Sequence, residues 1–371
     1  MLGPPAVPVA EAAGPRGSGE GQLGMETLGK VTIIANPAAG RRSAVRVSSL
    51  AADALASHAR QVEVSHTEGP RHATELAQEH GPDSELVVAV GGDGTVSEVL
   101  AGLVALPAPP PLAIVPTGSG NDFAAALGVA LRAEQAVRQV LQGSPCRLDY
   151  GVLIPGNIPF TSVVGCGFDA RVAGRLVGRR RRLAGRAVYV HWVLQELLVL
   201  RSMPARVRVD DQALEGDFLL IAIANGPAYG AGMRIAPQAS LTDGLLDVIA
   251  IERVSRLRFA RHFPRVFSGQ HLDLPEVRVL RGSRVRIDTA EPGPVLVDGD
   301  IRADTPIEAR VEPRGGLFWI PRDSPLAEGL GQVRRSVQSP FRLNGGEEGP
   351  VSVPWPEGAQ GPSGTTRMLT S

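Results

Sequence analysis

The chain has 371 residues, with 38 Lys and Arg against 38 Asp and Glu, and only two cysteines. The zero formal charge argues against a general nucleic-acid binder, for which a basic domain is expected, and two cysteines make neither a disulfide framework nor a zinc spacing, so a reducing cytoplasm is the default. Lys30 is the only lysine and follows no glycine loop, which excludes a P-loop and the strand lysine of a protein-kinase fold.

In chain order, residues 1–29 are rich in Gly, Pro and Ala and read as a disordered leader, with Met25 a candidate true start. From 30 to 145 the pattern alternates. Apolar runs Val31 to Ala35, Val62 to Ser65, Leu86 to Val90 and Leu112 to Val115 predict strands, and 43–58, 71–80, 95–105 and 120–142 carry helical spacing. This alternation implies a parallel sheet covered on both faces. Ligands in such sheets sit beyond the carboxyl ends of strands, where Asn36 to Gly40, Gly91 to Thr95 and Pro116 to Asn121 all fall.

Residues 146–322 follow a different pattern. Strands are expected at Leu148 to Ile154, Phe160 to Val164, Val207 to Val209, Phe218 to Ala224, Leu246 to Ile251, Val277 to Ile287, Val295 to Val297 and Ile307 to Val311, with helical segments near 168–201 and 255–268. Many strands with turn signals predict an antiparallel sandwich. Residues 323–371 read as a disordered tail. The expected architecture is therefore two-domain: an N-terminal α/β nucleotide-binding domain with a parallel sheet over 30–145, then a C-terminal antiparallel β-sandwich over 146–322, with a cleft between them.

The stretch Gly91-Gly92-Asp93-Gly94-Thr95 supports two readings, a tight turn or a phosphate cradle at a helix start. Pro116-Thr117-Gly118-Ser119-Gly120-Asn121-Asp122 is a second such loop, with a capped helix start as its structural alternative. Together the loops bring Asp93 and Asp122 to one sheet edge, where two carboxylates can share Mg²⁺ with substrate phosphates. Neither matches a dinucleotide fingerprint. Val297-Asp298-Gly299-Asp300 is a hairpin signal that can also present a carboxylate as general base.

Taken in order, several motifs resemble the lipid kinases that include soluble bacterial diacylglycerol kinases and the sphingosine and ceramide kinases. They are Asn36-Pro37-x-x-Gly40, Thr67, Gly91 to Thr95, Pro116 to Ala124, Asp149 with Gly151, Gly165-x-Gly167-Phe168-Asp169-Ala170, Asn225-Gly226 and Asp243-Gly244-Leu245-Leu246-Asp247. The resemblance implies ATP held by Asn36, Pro37, Ala38, Ala39, Gly40, Thr67, Gly91, Gly92, Asp93, Gly94, Thr95, Val96, Ser97 and Thr117. It implies a catalytic Mg²⁺ near Asp93 and Asp122, with Asp149 in the same cluster, and a structural Mg²⁺ at the Asp243 side chain with backbone oxygens of Ser240 and Leu245. The family's general base ends an Asp-Gly-Glu motif; Asp300 stands there in this chain, with Asp298 as its neighbour or substitute. Aspartate is one methylene shorter, and a misplacement of about 1 Å can cost on the order of a hundredfold in rate.

The implied function is ATP-dependent phosphorylation of a lipid hydroxyl, most simply of diacylglycerol. An NAD kinase, or a regulator that binds nucleotide or lipid without turnover, is the alternative. The implied partner is a lipid substrate at the membrane surface, reached from the cytoplasm by peripheral association; no nucleic acid is expected, and a homodimer is compatible. Arg175 to Arg186 holds six arginines and precedes Ala187 to Leu200 with Tyr189 and Trp192. This is either a membrane-attaching amphipathic segment or a solvated charge run before a core helix.

Overall fold

A computed structural model describes residues 27–176, 195–230 and 232–327. The expected leader up to residue 26, the tail from 328 and residues 177–194 of the arginine-rich segment lie outside the described residues.

The first half is a parallel sheet. β1 (Leu28–Ala35) lies between β2 (Ala59–His66) and β3 (Leu86–Gly91), and β3 pairs with β4 (Leu112–Pro116). β3 and β4 are buried along their whole length, because helices cover both faces of the sheet. Those helices are α1 (Ser43–Leu55), α2 (His72–His80), α3 (Asp93–Leu103), α4 (Asp122–Ala126) and α5 (Ala133–Gln142). The single helix expected over 120–142 is broken between α4 and α5, where Gly128 turns to φ +77°; a Cβ there would lie 2.8 Å from Pro325. The break thus falls at a glycine in the left-handed region that packs against a segment almost 200 residues downstream.

The second half is antiparallel and sandwich-like. Its strands are β5 (Ser144–Ile154), β6 (Ile158–Phe160), β7 (Val163–Gly167), β8 (Met203–Val209), β9 (Gln212–Ala224), β10 (Leu246–Glu252), β11 (Val277–Gly282), β12 (Arg284–Thr289), β13 (Pro294–Val297), β14 (Asp300–Asp304) and β15 (Ile307–Ile320). One core, including Phe160, Val164, Ile223, Val248, Val285 and Val297, fills the space inside the curled sheet. A second, including Phe168, Leu220, Tyr229, Met233 and Phe259, lies between the sheet and α6 (Phe168–Leu176) and α7 (Arg256–His262). The helix expected over 255–268 ends at His262, since Pro264 has no N–H to continue it, and a 3-10 turn follows over Phe263–Phe267.

Three expected strands are redrawn by distant partners. Val277 to Ile287 divides at Gly282 and Ser283, where the Asp210 carboxylate accepts from the N–H groups of Ser283 and Arg284 and turns the chain toward new neighbours. Phe160 to Val164 divides at Thr161 and Ser162, whose N–H groups bond Asp298. β15 runs well past Val311 and returns to the first half, placing Phe318 beside Leu112 of β4, so one sheet continues through both halves.

Candidate active site

Three loops meet at the carboxyl ends of β1, β3 and β4. Asn36 donates through Nδ2 to Thr95 Oγ1 at 3.2 Å, and its Oδ1 accepts from Ala38 N. Thr117 N donates to Gly91 O, and Thr67 N donates to Ala35 O beside them. Asn121 braces its own loop by bonding both backbone groups of Gly118.

Most of the glycines are committed to packing. A Cβ on Gly118 would approach Gly92 Cα to 2.5 Å, one on Gly91 would strike Thr95, and one on Gly40, itself at φ +57°, would meet the Thr117 carbonyl. They let three backbones close on one another. Gly94 differs: a Cβ there would meet only Asp300 Oδ2, at 3.4 Å. The first turn of α3 therefore faces the carboxylate offered by the β13–β14 hairpin of the second half, and Arg302 of β14 approaches Glu98 of α3 at 3.7 Å.

Asp93 joins the loops. Its Oδ2 accepts from Asn121 N at 2.7 Å and its Oδ1 from Phe123 N at 3.2 Å, which satisfies N–H groups at the start of α4. Burial, then the nearby Asp122 charge, raise the Asp93 pKa against the pull of those donors. Asp122 accepts from Gly232 N at 2.8 Å, a contact between the halves that the sequence did not suggest.

Asp298 and Gly299 form the two-residue turn of the hairpin, at φ +45° and +97°, with Val297 paired to Asp300. Asp298 is buried, and both its oxygens are spent: Oδ2 accepts from Thr161 N and Oγ1, and Oδ1 from Ser162 N and Val163 N. Burial pushes its carboxyl up to about 6 despite those N–H groups. Asp298 is thus a clamp that fixes the hairpin, and Asp300 is the residue whose carboxylate faces Gly94. The sequence points to Asp300 as base with Asp298 as its neighbour or substitute, and does not show that Asp298 is committed to backbone N–H groups.

The expected cation sites divide. Asp93 and Asp122 are close enough that the Asp122 charge raises the Asp93 pKa, and Mg²⁺ there would have to use the carboxylate lone pairs that remain beside the N–H groups of Asn121, Phe123 and Gly232. Magnesium is commonly held by one or two carboxylates and phosphate oxygens. Asp149 is not brought to them. On β5 it faces the opposite loops, its oxygens taken by Gly244 N and Arg314 N, each at 2.7 Å. The expected structural Mg²⁺ at Ser240, Asp243 and Leu245 does not fit. The guanidinium of Arg281 already sits there, 2.5 Å from Asp243 Oδ2 and 3.1 Å from Asp247 Oδ1, while Asp243 Oδ1 accepts from Leu245 N. An added divalent ion would have to displace that positive charge. Among the described residues no group of three or more His, Cys, Asp or Glu side chains is arranged to hold a metal.

Between α6, α7 and the sheet lies an apolar pocket lined by Phe168, Met233, Phe259, Phe263 and Val266 among others. Ile301, next to Asp300, packs into the same cluster of side chains. At the pocket wall Asp169 Oδ2 accepts from the Tyr229 hydroxyl at 3.1 Å, and burial pushes this carboxyl up to about 6. The pocket was not legible in the sequence, because its walls come from α6, α7 and loops near 229 and 271. A partial signal was Phe168-Asp169, an aromatic and an acid straight after a glycine-ended strand.

Residues 30–153 match the family model for the diacylglycerol kinase catalytic domain, and 162–316 match that for the YegS C-terminal NAD kinase beta sandwich-like domain. A diacylglycerol kinase of Mycobacterium tuberculosis (strain CDC 1551 / Oshkosh) is 34% identical over 313 residues, covering 81% of this chain and 98% of its own. That of Bacillus subtilis (strain 168) is 26% identical over 280 residues, covering 73% and 89%. The fold is similar to a crystal structure of a diacylglycerol kinase from Bacillus anthracis str. Sterne, with TM-score 0.61 and 22% identity over 78% of this chain and 96% of that one.

Proposed function

The chain belongs to the diacylglycerol kinase catalytic-domain family, and from that premise we propose that it transfers the γ-phosphate of ATP to a lipid hydroxyl, with diacylglycerol as acceptor and phosphatidic acid as product. The observation that carries this reading is the position of Asp300, which faces Gly94 at the N-terminus of α3 while its chain neighbour Ile301 packs against the apolar cluster that includes Phe168 and Phe259. A candidate phosphate cradle and an apolar cluster then flank one carboxylate.

The nucleotide phosphates lie against the first turn of α3, whose free N–H groups and dipole favour anions, with Asn36 and Thr117 beside them. Bound Mg²⁺ would be held by Asp93 and Asp122 and would supply charge neutralisation at the phosphates. Asp300 accepts the proton of the acceptor hydroxyl as its oxygen bonds to the γ-phosphorus, the bond from that phosphorus to the β–γ bridging oxygen breaks and ADP leaves, and the Asp298 clamp keeps the Asp300 carboxylate in line. The pocket takes an acyl chain and excludes water. No helix among the described residues is long and apolar enough to cross a membrane, so access to the lipid is proposed as peripheral.

The test is transfer of labelled γ-phosphate to diacylglycerol, monoacylglycerol, sphingosine, ceramide and NAD in mixed micelles, with Asp300→Ala and Asp300→Glu beside the wild type. Diacylglycerol labelling that is lost in Asp300→Ala and kept in Asp300→Glu is the expected outcome. ATP binding with no transfer to any acceptor would refute the kinase reading, and transfer to NAD alone would reassign the substrate.

A further inference from the structure

α7 has two faces of opposite character. Its inner face, with the turn that follows, supplies Phe259, Phe263 and Val266 to the apolar pocket. Its outer face carries Leu257, which is 81% exposed, and Phe267 of the following turn is 39% exposed. Residues 253–272 contain five arginines and no acid, in a chain whose formal charge is zero. Arg258 is neutralised by Glu276 at 2.6 Å, and Arg253 approaches Asp217 at 3.7 Å. Arg256, Arg261 and Arg265 are exposed and form no ion pair among the described residues.

An exposed leucine and phenylalanine beside arginines that form no ion pair among the described residues match a surface with an apolar interior under anionic headgroups. We propose that residues 253–267 are the membrane-docking face of this protein, with Leu257 entering the headgroup–acyl boundary and Arg256, Arg261 and Arg265 meeting lipid phosphates. The proposal rests on the lipid-kinase reading for its purpose, since the docked segment is itself a wall of the acyl pocket and an acceptor can pass from bilayer to pocket without crossing water. It is distinct from the arginine-rich run at 175–186, most of which lies outside the described residues.

The experiment is co-sedimentation of the full chain, without nucleotide, with phosphatidylcholine vesicles that contain or lack phosphatidylglycerol. Wild type is expected to bind the anionic vesicles and not the neutral ones, with binding that weakens as salt rises. Reversing two charges in Arg256→Glu/Arg261→Glu should lower the partition coefficient by at least about tenfold, given the attraction of each basic residue to an anionic surface, and Leu257→Asp should also lower it. Neither substitution touches the pocket or the phosphate loops, so melting temperature and turnover of a short-chain, water-soluble diacylglycerol should stay at wild-type values. If either variant binds as wild type does, or if the wild type ignores anionic vesicles, the docking face is refuted and the segment is a solvated turn or the contact for an acidic protein. Vesicle binding by a chain that phosphorylates no lipid would refute the kinase reading and leave the docking face standing.

Discussion

Replacing Asp298 by alanine separates a clamp from a base. The change strands the buried N–H groups of Thr161, Ser162 and Val163, each of which costs about 1–3 kcal/mol when left unmade. Against this, a carboxyl pushed up to about 6 from 3.8 opposes folding at neutral pH by on the order of 3 kcal/mol, which its removal returns. Alanine in the left-handed conformation at φ +45° adds about 1 kcal/mol. The net is a loss of about 4 kcal/mol, to be read as a lower urea midpoint with an unchanged slope. Asp298→Asn keeps one acceptor oxygen and should lose about half as much. Catalysis should fall in step with the displacement of Asp300, and less completely than in Asp300→Ala. An Asp298→Ala protein with wild-type stability but no turnover would refute this reasoning and restore Asp298 as a candidate base.

Arg281→Ala should lower stability by about 1–2 kcal/mol, since the guanidinium is partly exposed while Asp247 is left buried, and Mg²⁺ should then raise the melting temperature of the variant but not of the nucleotide-free wild type. A wild-type rise with Mg²⁺ that disappears in Asp243→Asn would reinstate the metal site. Gly165→Ala should cost about 1–3 kcal/mol in thermal unfolding, because a Cβ there would collide with Asp169 Oδ2, and a neutral result would mean that Asp169 is free to move. Asp169 is raised to about 6, so its contribution to stability is complete below pH 3.8 and is lost as pH rises through about 6. The stability difference between wild type and Asp169→Asn should therefore shift against the wild type by on the order of 3 kcal/mol between pH 4 and 7, and a flat difference would contradict the burial argument.

The sequence by itself determined the parallel half, the positions of its loops and the Asp298-Gly299 turn, because these depend on local periodicity and on dihedral preferences carried by single residues. The three glycine-bearing loops had to open on one edge once their strands were parallel. Tertiary structure alone decided how the carboxylates divide their labour. Asp93, Asp149 and Asp298 are equivalent as letters, and their roles follow from which backbone N–H groups reach them from segments 28 to 165 residues away. The same holds for the cation beside Asp243: no spacing rule links it to Arg281, which arrives because β11 pairs antiparallel with β10. The pocket and the exposed face of α7 are likewise products of packing, since whether Phe259 is buried or Leu257 bare depends on what the sheet places against that helix.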